Sequence, residues 1–410
     1  MGVFLFGWAT TGLVIYIRLF LILFFLILTS FIWSFFAIRG IQLTRSTRSF
    51  RTSVGKVFDE RFDIVNLSRW ACFWVEIQDN STIPQNSGSR LLTGIDGHRQ
   101  RSYTARTRIT KRGKYYLGPT MISSGDPFGL FRSSRIIQPE ASLIALPMTV
   151  DIPYYLTVKG LLPGGREIHQ KTMDVTPHVT GVREYIPGDP MKRIHWSSTA
   201  KHNQFMVKVF EQDPEAEIWF FLDSQKKAHF SNQADEEEIN QDDFIRYKLS
   251  KVKIPDDTYE YSISATASLV KYFLKQRKKV GFVNSGAQTN LIPAERGERQ
   301  LGKVLETLAF LKPDGELPIT GCVKMQAKYL PMGSGVILVT PSLANILMSV
   351  EELTWRKMHP IILLISSELI GGPVDSKDLI PEFERRDVPV LKIQCGENLG
   401  NQFSMMRVAM

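Results

Sequence analysis

Residues 218–223 read Ile-Trp-Phe-Phe-Leu-Asp, five apolar side chains closed by an acid. A run this short and this apolar offers no polar face to water, which marks a strand buried on both sides. Strands of that kind belong to parallel sheets covered by helices, so this stretch decides the fold class of the C-terminal half. Downstream, 259–276 (YEYSISATASLVKYFLKQ) carries helical periodicity, 280–284 (VGFVN) reads as a strand and 301–311 as a second amphipathic helix. VILVT at 336–340, IILLI at 361–365 and VPVLKI at 388–393 are further strand candidates. The alternation predicts a doubly wound, mostly parallel sheet over 216–410, interrupted by an acidic, aromatic-poor loop at about 226–257 that contains Asp235-Glu-Glu-Glu238.

Upstream the period changes. Residues 57–66 (VFDERFDIVN) partly alternate, 71–78 (ACFWVEIQ) are rich in aromatic and β-branched side chains, and 103–110 (YTARTRIT) alternate again. A turn-rich DNSTIPQNSGS lies at 79–89, and KRGKYYLGP at 111–119 and DPFGLF at 126–131 add Gly/Pro punctuation. Short strands at such spacing predict a small β-sandwich over 41–150. The basic residues at 99–114 read as a solvated strand face or as a contact with anionic lipid. A linker and a charge-dense region fill 151–215, of which 161–176 carries Gly-Gly, Pro and mixed charge and reads as irregular.

From Val3 to Ile38 the only charge is Arg18. A bilayer core of about 30 Å takes roughly 20 helical residues, so the run is long for one span and short for two. It reads as a transmembrane anchor over 1–40, either a helical hairpin with Arg18 near its turn or a single span at 19–38. Arg39, Arg45, Arg48, Arg51 and Lys56 come directly after it, and the positive-inside bias then puts the soluble part in the cytoplasm, at the inner (cell) membrane. No basic residue precedes the apolar run and no small-x-small site ends it, which argues against a cleaved signal. Cys72, Cys322 and Cys395 form no CxxC pair and fit a reducing compartment. The net charge of +9 suits a cytoplasmic membrane protein, and no recognisable nucleic-acid module accompanies it. The expected fold class is a membrane-anchored α+β multidomain chain: an N-terminal transmembrane helical hairpin, a small β-sandwich and a C-terminal α/β doubly wound domain.

The densest cluster of chemistry-bearing side chains is REYIPGDPMKRIHW at 183–196. Asp189 before Pro190 reads as a helix start, the carboxylate capping free N–H groups and the proline losing nothing at the first position. Pro187-Gly188 supplies a turn, Glu184 can pair with Arg193 across it, and Ile194 and Trp196 can pack inward. On this reading Arg183, Glu184, Tyr185, Pro187, Gly188, Asp189, Arg193, His195 and Trp196 form a structural clasp. A second reading is a docking surface anchored by Trp196 and the arginines. A third is catalytic, with His195 as base, Asp189 or Glu184 orienting it, and Ser197 or Ser198 as nucleophile. No Gly-x-Ser-x-Gly elbow accompanies them.

This stretch, continued as Ser197-Ser-Thr-Ala-Lys201 and Val207-Lys-Val-Phe-Glu211, resembles the signature of the bacterial domain of unknown function 58 family. RGKYYLGP, DPFGLF and the membrane anchor also match what such proteins carry. The resemblance implies an anchored protein with a β domain and a C-terminal fold similar to a von Willebrand factor A domain. It further implies a gene often placed beside those for a MoxR-type AAA+ ATPase and a transglutaminase-like membrane protein, and it names no reaction. Von Willebrand A domains hold Mg2+ with Asp-x-Ser-x-Ser at the end of the first strand. Asp223 stands in that place here, but Gln225 and Lys227 replace the serines, and Thr340-Pro-Ser342 offers no carboxylate at the fourth strand's end. Magnesium demands hard oxygen ligands and an ammonium repels it, so the site reads as degenerate and no cofactor is expected. The histidines at 98, 169, 178, 202, 229 and 359 form no ligand pair, and Gly286 and Gly297 form no phosphate loop. The expected function is a membrane-anchored cytoplasmic scaffold or adaptor, not an enzyme, that recruits partners such as the ATPase or the transglutaminase-like membrane protein for complex assembly or maturation. The alternative is a hydrolase-like enzyme built around His195.

Overall fold

The computed structural model describes residues 2–139, 141–152, 170–172, 179–212, 217–232, 254–287, 289–372 and 379–405. It is a mixed α/β chain with one long N-terminal apolar helix and several sheets. Two compact units divide at Pro147 and Met148. The expected acidic run Asp235–Glu238 and most of the expected irregular linker at 161–176 lie outside the described residues.

The first unit begins with α1 (Gly2–Thr11) and α2 (Val14–Arg39). The turn between them falls at Gly12, whose φ of +66° is the left-handed conformation that ends helices, and not at Arg18, which lies inside α2. With 10 residues α1 is about 15 Å long, too short to cross a bilayer. Among the described helices only α2, with 26 residues, is long and apolar enough. Two antiparallel sheets come next, ordered β1-β3-β6 and β5-β4-β8-β9, with a smaller sheet β2-β10-β7. Here β1 is Ile41–Thr47, β2 Arg51–Ser53, β3 Val57–Asn66, β4 Cys72–Asp79 and β5 Arg90–Ile95. The set continues with β6 Gln100–Arg108, β7 Gly113–Leu117, β8 Thr120–Gly125, β9 Arg132–Ile137 and β10 Ala141–Leu146. Ile41, Phe62, Ile64 and Tyr103 from the first sheet share one core with Cys72, Val75, Ile77, Ile95 and Ile122 from the second. That is two sheets packed face to face. Strand β3 shows why: Phe58, Phe62 and Ile64 bury every second side chain. Glu60 falls in the same buried phase and is held by Arg45, which also reaches Asp79 at 3.0 Å.

In the second unit β14 (Ile218–Leu222) lies in a six-stranded sheet ordered β16-β15-β14-β17-β18-β19. The others are β15 (Val280–Asn284), β16 (Leu291–Glu295), β17 (Gly335–Thr340), β18 (His359–Ser366) and β19 (Val390–Gln394). All neighbours pair in parallel except β16, which runs antiparallel to β15. Ile218, Phe220 and Leu222 enter one core with the helices Thr258–Lys275 (α4), Glu298–Phe310 (α5) and Leu399–Met405 (α9). Trp219 and Phe221 enter the other with Ile319–Gln326 (α6), Ile346–Trp355 (α7) and Ile380–Arg385 (α8). The uninterrupted apolar run is the sequence record of those two cores. Gly281 on β15 is part of the fit, because a Cβ there would meet the Trp219 ring at 2.5 Å. β16 escapes sequence reading because it is an edge strand, contains Pro293 and is mostly exposed.

Between the units' main sheets in sequence lies a three-stranded sheet, β11-β13-β12, formed by Gln170–Thr172, Met206–Gln212 and Val179–Glu184. A short helix, α3 (Trp196–His202), sits in the connection from β12 to β13.

Candidate functional site

Two places carry the expected chemistry, and they are built differently. The first is the β12–β13 connection. Arg183 at the end of β12 forms a two-pronged pair with Asp189, at 2.8 Å to each carboxylate oxygen, and Asp189 also accepts from the Ile186 N–H at 3.1 Å. The guanidinium holds the Asp189 carboxyl below the usual carboxylate range. This corrects the expected helix cap, since the carboxylate closes the Pro187-Gly188 turn onto β12. Gly188 has φ +112°, a conformation only glycine adopts without strain. A short 3-10 turn, Met191–Arg193, comes after it with no side-chain cap.

The cap of α3 is instead His195. Its Nδ1 accepts from the Ser198 N–H at 3.2 Å and lies 2.7 Å from the Ser198 hydroxyl. Neither Asp189 nor Glu184 is on the imidazole, and of the two candidate serines only Ser198 reaches it; Ser197 is exposed. Glu184 is exposed and makes no ion pair among the described residues, against the expected pairing with Arg193. Ile194 is buried and bridges to Val207. Trp196, expected to pack inward, points out with 65% of its surface exposed. Tyr185 packs edge-on against Phe205, 6.1 Å between ring centres, and its N–H bonds the Phe205 carbonyl. Every polar contact described here is internal to the connection.

The second place is the carboxyl end of β14. In a sheet of this order the chain leaves β14 and β17 in opposite directions, opening a crevice at their carboxyl ends. A cavity of about 650 Å3 lies there, lined by Asp223, Gln225, Lys227, Thr340, Ser342 and the first residues of α6 and α7. Asp223 is buried on its floor. Its Oδ1 accepts from the Gln225 N–H at 3.0 Å and its Oδ2 from the Thr340 hydroxyl at 2.9 Å. Ser285 links this end to β15, its hydroxyl accepting from the Ser224 N–H at 3.0 Å. Gly315 threads its backbone between the same strands, where a Cβ would run into the Ser285 carbonyl. Burial pushes the Asp223 carboxyl above its ordinary range, against the pull of its hydrogen bonds and of His229. His229 Nε2 donates to the Asp223 carbonyl at 2.9 Å, Nδ1 faces the Thr258 hydroxyl at 3.1 Å, and burial lowers the ring's pKa.

The residues present do not fit a magnesium ion. Both Asp223 oxygens are committed to neutral donors, and the neighbouring wall supplies an amide and an ammonium where hydroxyls would be required. No group of three or more His, Cys, Asp or Glu that could hold a metal occurs among the described residues. Thr340 stands where the sequence placed the fourth strand's end of this site, whereas Ser285 and His229 are invisible as site residues in the sequence, because they reach Asp223 from other segments and no local spacing joins them.

Residues 181–242 match the model of a family described as protein of unknown function DUF58. A search of curated proteins finds the uncharacterized protein YeaD of Bacillus subtilis (strain 168), 22% identical over 212 residues. That match covers 51% of this chain and 45% of YeaD, so the chain spans less than half the length of this relative. Among solved structures, proximal thread matrix protein 1 from the mussel byssus aligns with a TM-score of 0.30 and 13% identity, over 48% of this chain and 46% of its own. The CARDB domain of the PF1109 protein from Pyrococcus furiosus aligns with a TM-score of 0.19 and 8% identity, over 26% of this chain and 87% of its own. Likeness at these levels assigns neither fold nor function. The family match falls on the stretch that carries the resemblance, so this part of the chain is similar to the DUF58 family of unknown function.

Proposed function

We propose that this chain is a membrane-anchored adaptor, its soluble units in the cytoplasm, whose C-terminal unit is von Willebrand A-like and binds a protein partner without a metal. The observation that carries this reading is the crevice at the carboxyl ends of β14 and β17. Its floor is an acid already satisfied by neutral donors, and its wall includes Lys227. The starts of α6 and α7 line it, both without a side-chain cap, and free N–H groups at helix starts favour negative charge. Phe230 and Met348 add apolar wall. The partner group that suits such a crevice is an acidic side chain on an apolar segment, with the ammonium of Lys227 standing where a metal would otherwise receive the carboxylate. The strand order, with β14 and β17 central and an antiparallel β16, supports the von Willebrand A-like assignment. The arginine-rich stretch after Ile38 supports the cytoplasmic orientation.

A MoxR-type AAA+ ATPase is the first partner to test. Full-length chain purified from detergent-solubilised membranes is expected to retain that ATPase, to lose it in Lys227→Glu, and to keep it in the distant control Lys303→Glu. Equal recovery by all three chains contradicts the crevice reading. One observation favours a second reading: Ser198 and His195 are in contact at 2.7 Å, as in a nucleophile–base pair. The Ser198 N–H bonds the same ring nitrogen, which is what a cap requires and a catalytic base does not. Covalent labelling of Ser198 by a fluorophosphonate, abolished in His195→Ala, would establish the hydrolase.

A further inference from the structure

The described residues of the first unit include a group of large apolar side chains that no core absorbs: Trp70 at 61% exposure, Phe73 at 47%, Phe128 at 65% and Leu130 at 52%. They sit on two separate connections, before and within β4 and between β8 and β9, yet both connections close on one short piece of α2. Trp33 packs its ring against Trp70 and against Phe73, each at 5.5 Å between centres. Phe31 packs edge-on against Phe131 at 5.5 Å, and the hydroxyls of Ser34 and Ser133 are 3.1 Å apart. The chain just before Trp70 also wraps the helix end, the Leu67 N–H bonding the Gly40 carbonyl at 2.8 Å. So the two connections that carry these apolar side chains meet α2 at the level of residues 31–34.

The length of α2 admits a membrane boundary at the same level. Counted from Val14, about 20 residues, or about 30 Å of helix, match the hydrocarbon core of a bilayer and end at Trp33. Arg18, near the other end of that count, has a stem long enough to carry its charge back to the far surface. Beyond Trp33, Arg39 in the last turn of α2 and Arg69 beside Trp70 are exposed cations on the side where headgroups would lie. Aromatic rings at a membrane boundary with arginines just outside it are the side-chain distribution that anionic bilayers favour.

We propose that the β unit is seated in the bilayer surface rather than hung clear of it, with Trp70, Phe73, Phe128 and Leu130 among the lipid headgroups around the emerging α2 and with Arg39 and Arg69 against anionic phosphates. The inference rests on the reading that α2 spans the membrane. Its consequence is mechanical: the β unit is held at a fixed depth and cannot swing on a tether.

The test uses the full chain reconstituted in vesicles of phosphatidylcholine and phosphatidylglycerol. Cys72, Cys322 and Cys395 are buried, so a single introduced cysteine takes the label. An environment-sensitive fluorophore is placed at Leu130→Cys, at Leu21→Cys inside α2 and at Met332→Cys in the second unit. The labels at 130 and 21 are expected to be quenched by nitroxide-bearing lipid and protected from iodide, with the label at 332 behaving in reverse. If the label at 130 behaves like the one at 332 while that at 21 stays lipid-quenched, the seating is wrong and the anchor stands. If iodide reaches the label at 21 as well, α2 does not span, and the anchor and the seating fall together.

Discussion

Asp189 and Asp223 are both acids at the end of a strand, and their surroundings move them in opposite directions. Asp189 is partly exposed and gripped by a guanidinium, so its carboxyl is held below the ordinary range. Asp223 is buried among neutral donors, so its carboxyl is pushed above it. The first arrangement is self-contained: the charge is neutralised inside the turn, and nothing is left over for a ligand. The second leaves a buried carboxyl, hydrogen-bonded by neutral donors and paired with no cation in the described contacts, beneath an open crevice. The charge-dense stretch therefore closes on itself, and the open crevice lies at the quiet end of a hydrophobic strand. The two acids also differ in the sign of their pH effects. A lowered carboxyl contributes stability above its unfolded value of about 3.9, lost as pH falls through the folded value. A raised one contributes stability below that same value, lost as pH rises through the folded value. Asp189→Asn is expected to flatten the acid limb of the melting-temperature curve, and Asp223→Asn to remove a decline on its rising side.

A buried acid that does have its cation supplies the missing corner of the comparison, and the largest effect. Glu60 and Asp79 are buried around Arg45, with Glu60 raised by burial against the pull of the guanidinium. Arg45→Ala strands two buried carboxylates, and breaking such a pair costs about 3–5 kcal/mol. Chemical denaturation should show the first unit unfolding at clearly lower denaturant; an unchanged midpoint would mean that water already reaches these acids. Next comes Asp223→Ala, which leaves the Gln225 N–H and the Thr340 hydroxyl without their acceptor at about 1–3 kcal/mol for a buried unsatisfied group. A loss well above that range, seen in the melt of the second unit, would show that Asp223 holds the sheet together and is no mere floor to a crevice.

In the clasp the expected effects are smaller. Removing the His195 cap costs about 0.5–2 kcal/mol, whereas Glu184→Ala and Trp196→Ala, both exposed, stay within about 0.5 kcal/mol. Thermal melts of the three variants decide it. If Glu184→Ala is the most destabilised, the pairing across the turn that the sequence invites exists after all, and the difference between the two aspartates narrows.

Sequence alone reveals this chain only where the physics is local. The run 218–222 betrays a doubly buried strand because burial on two faces admits no polar residue, and the alternation of 57–66 betrays a strand with one buried face. The helix 258–275 is legible by period; α6 to α9 are too short to show one. The clasp is misread in detail from sequence because a cap and a salt bridge compete for the same carboxylate, and two charge-assisted bonds from Arg183 outweigh one backbone N–H. The crevice can be placed at Asp223 and Thr340 but not fully furnished, since Ser285 and His229 join them only once the chain is folded.

The most direct measurement is the melting temperature of the full-length chain in detergent with millimolar Mg2+ and with EDTA, for the natural sequence and for Asp223→Ala. The account predicts that the natural chain melts at the same temperature in both, because Gln225 and Lys227 stand where ligands would be and Asp223 already serves neutral donors. A magnesium-dependent rise in the natural chain that disappears in Asp223→Ala would contradict it.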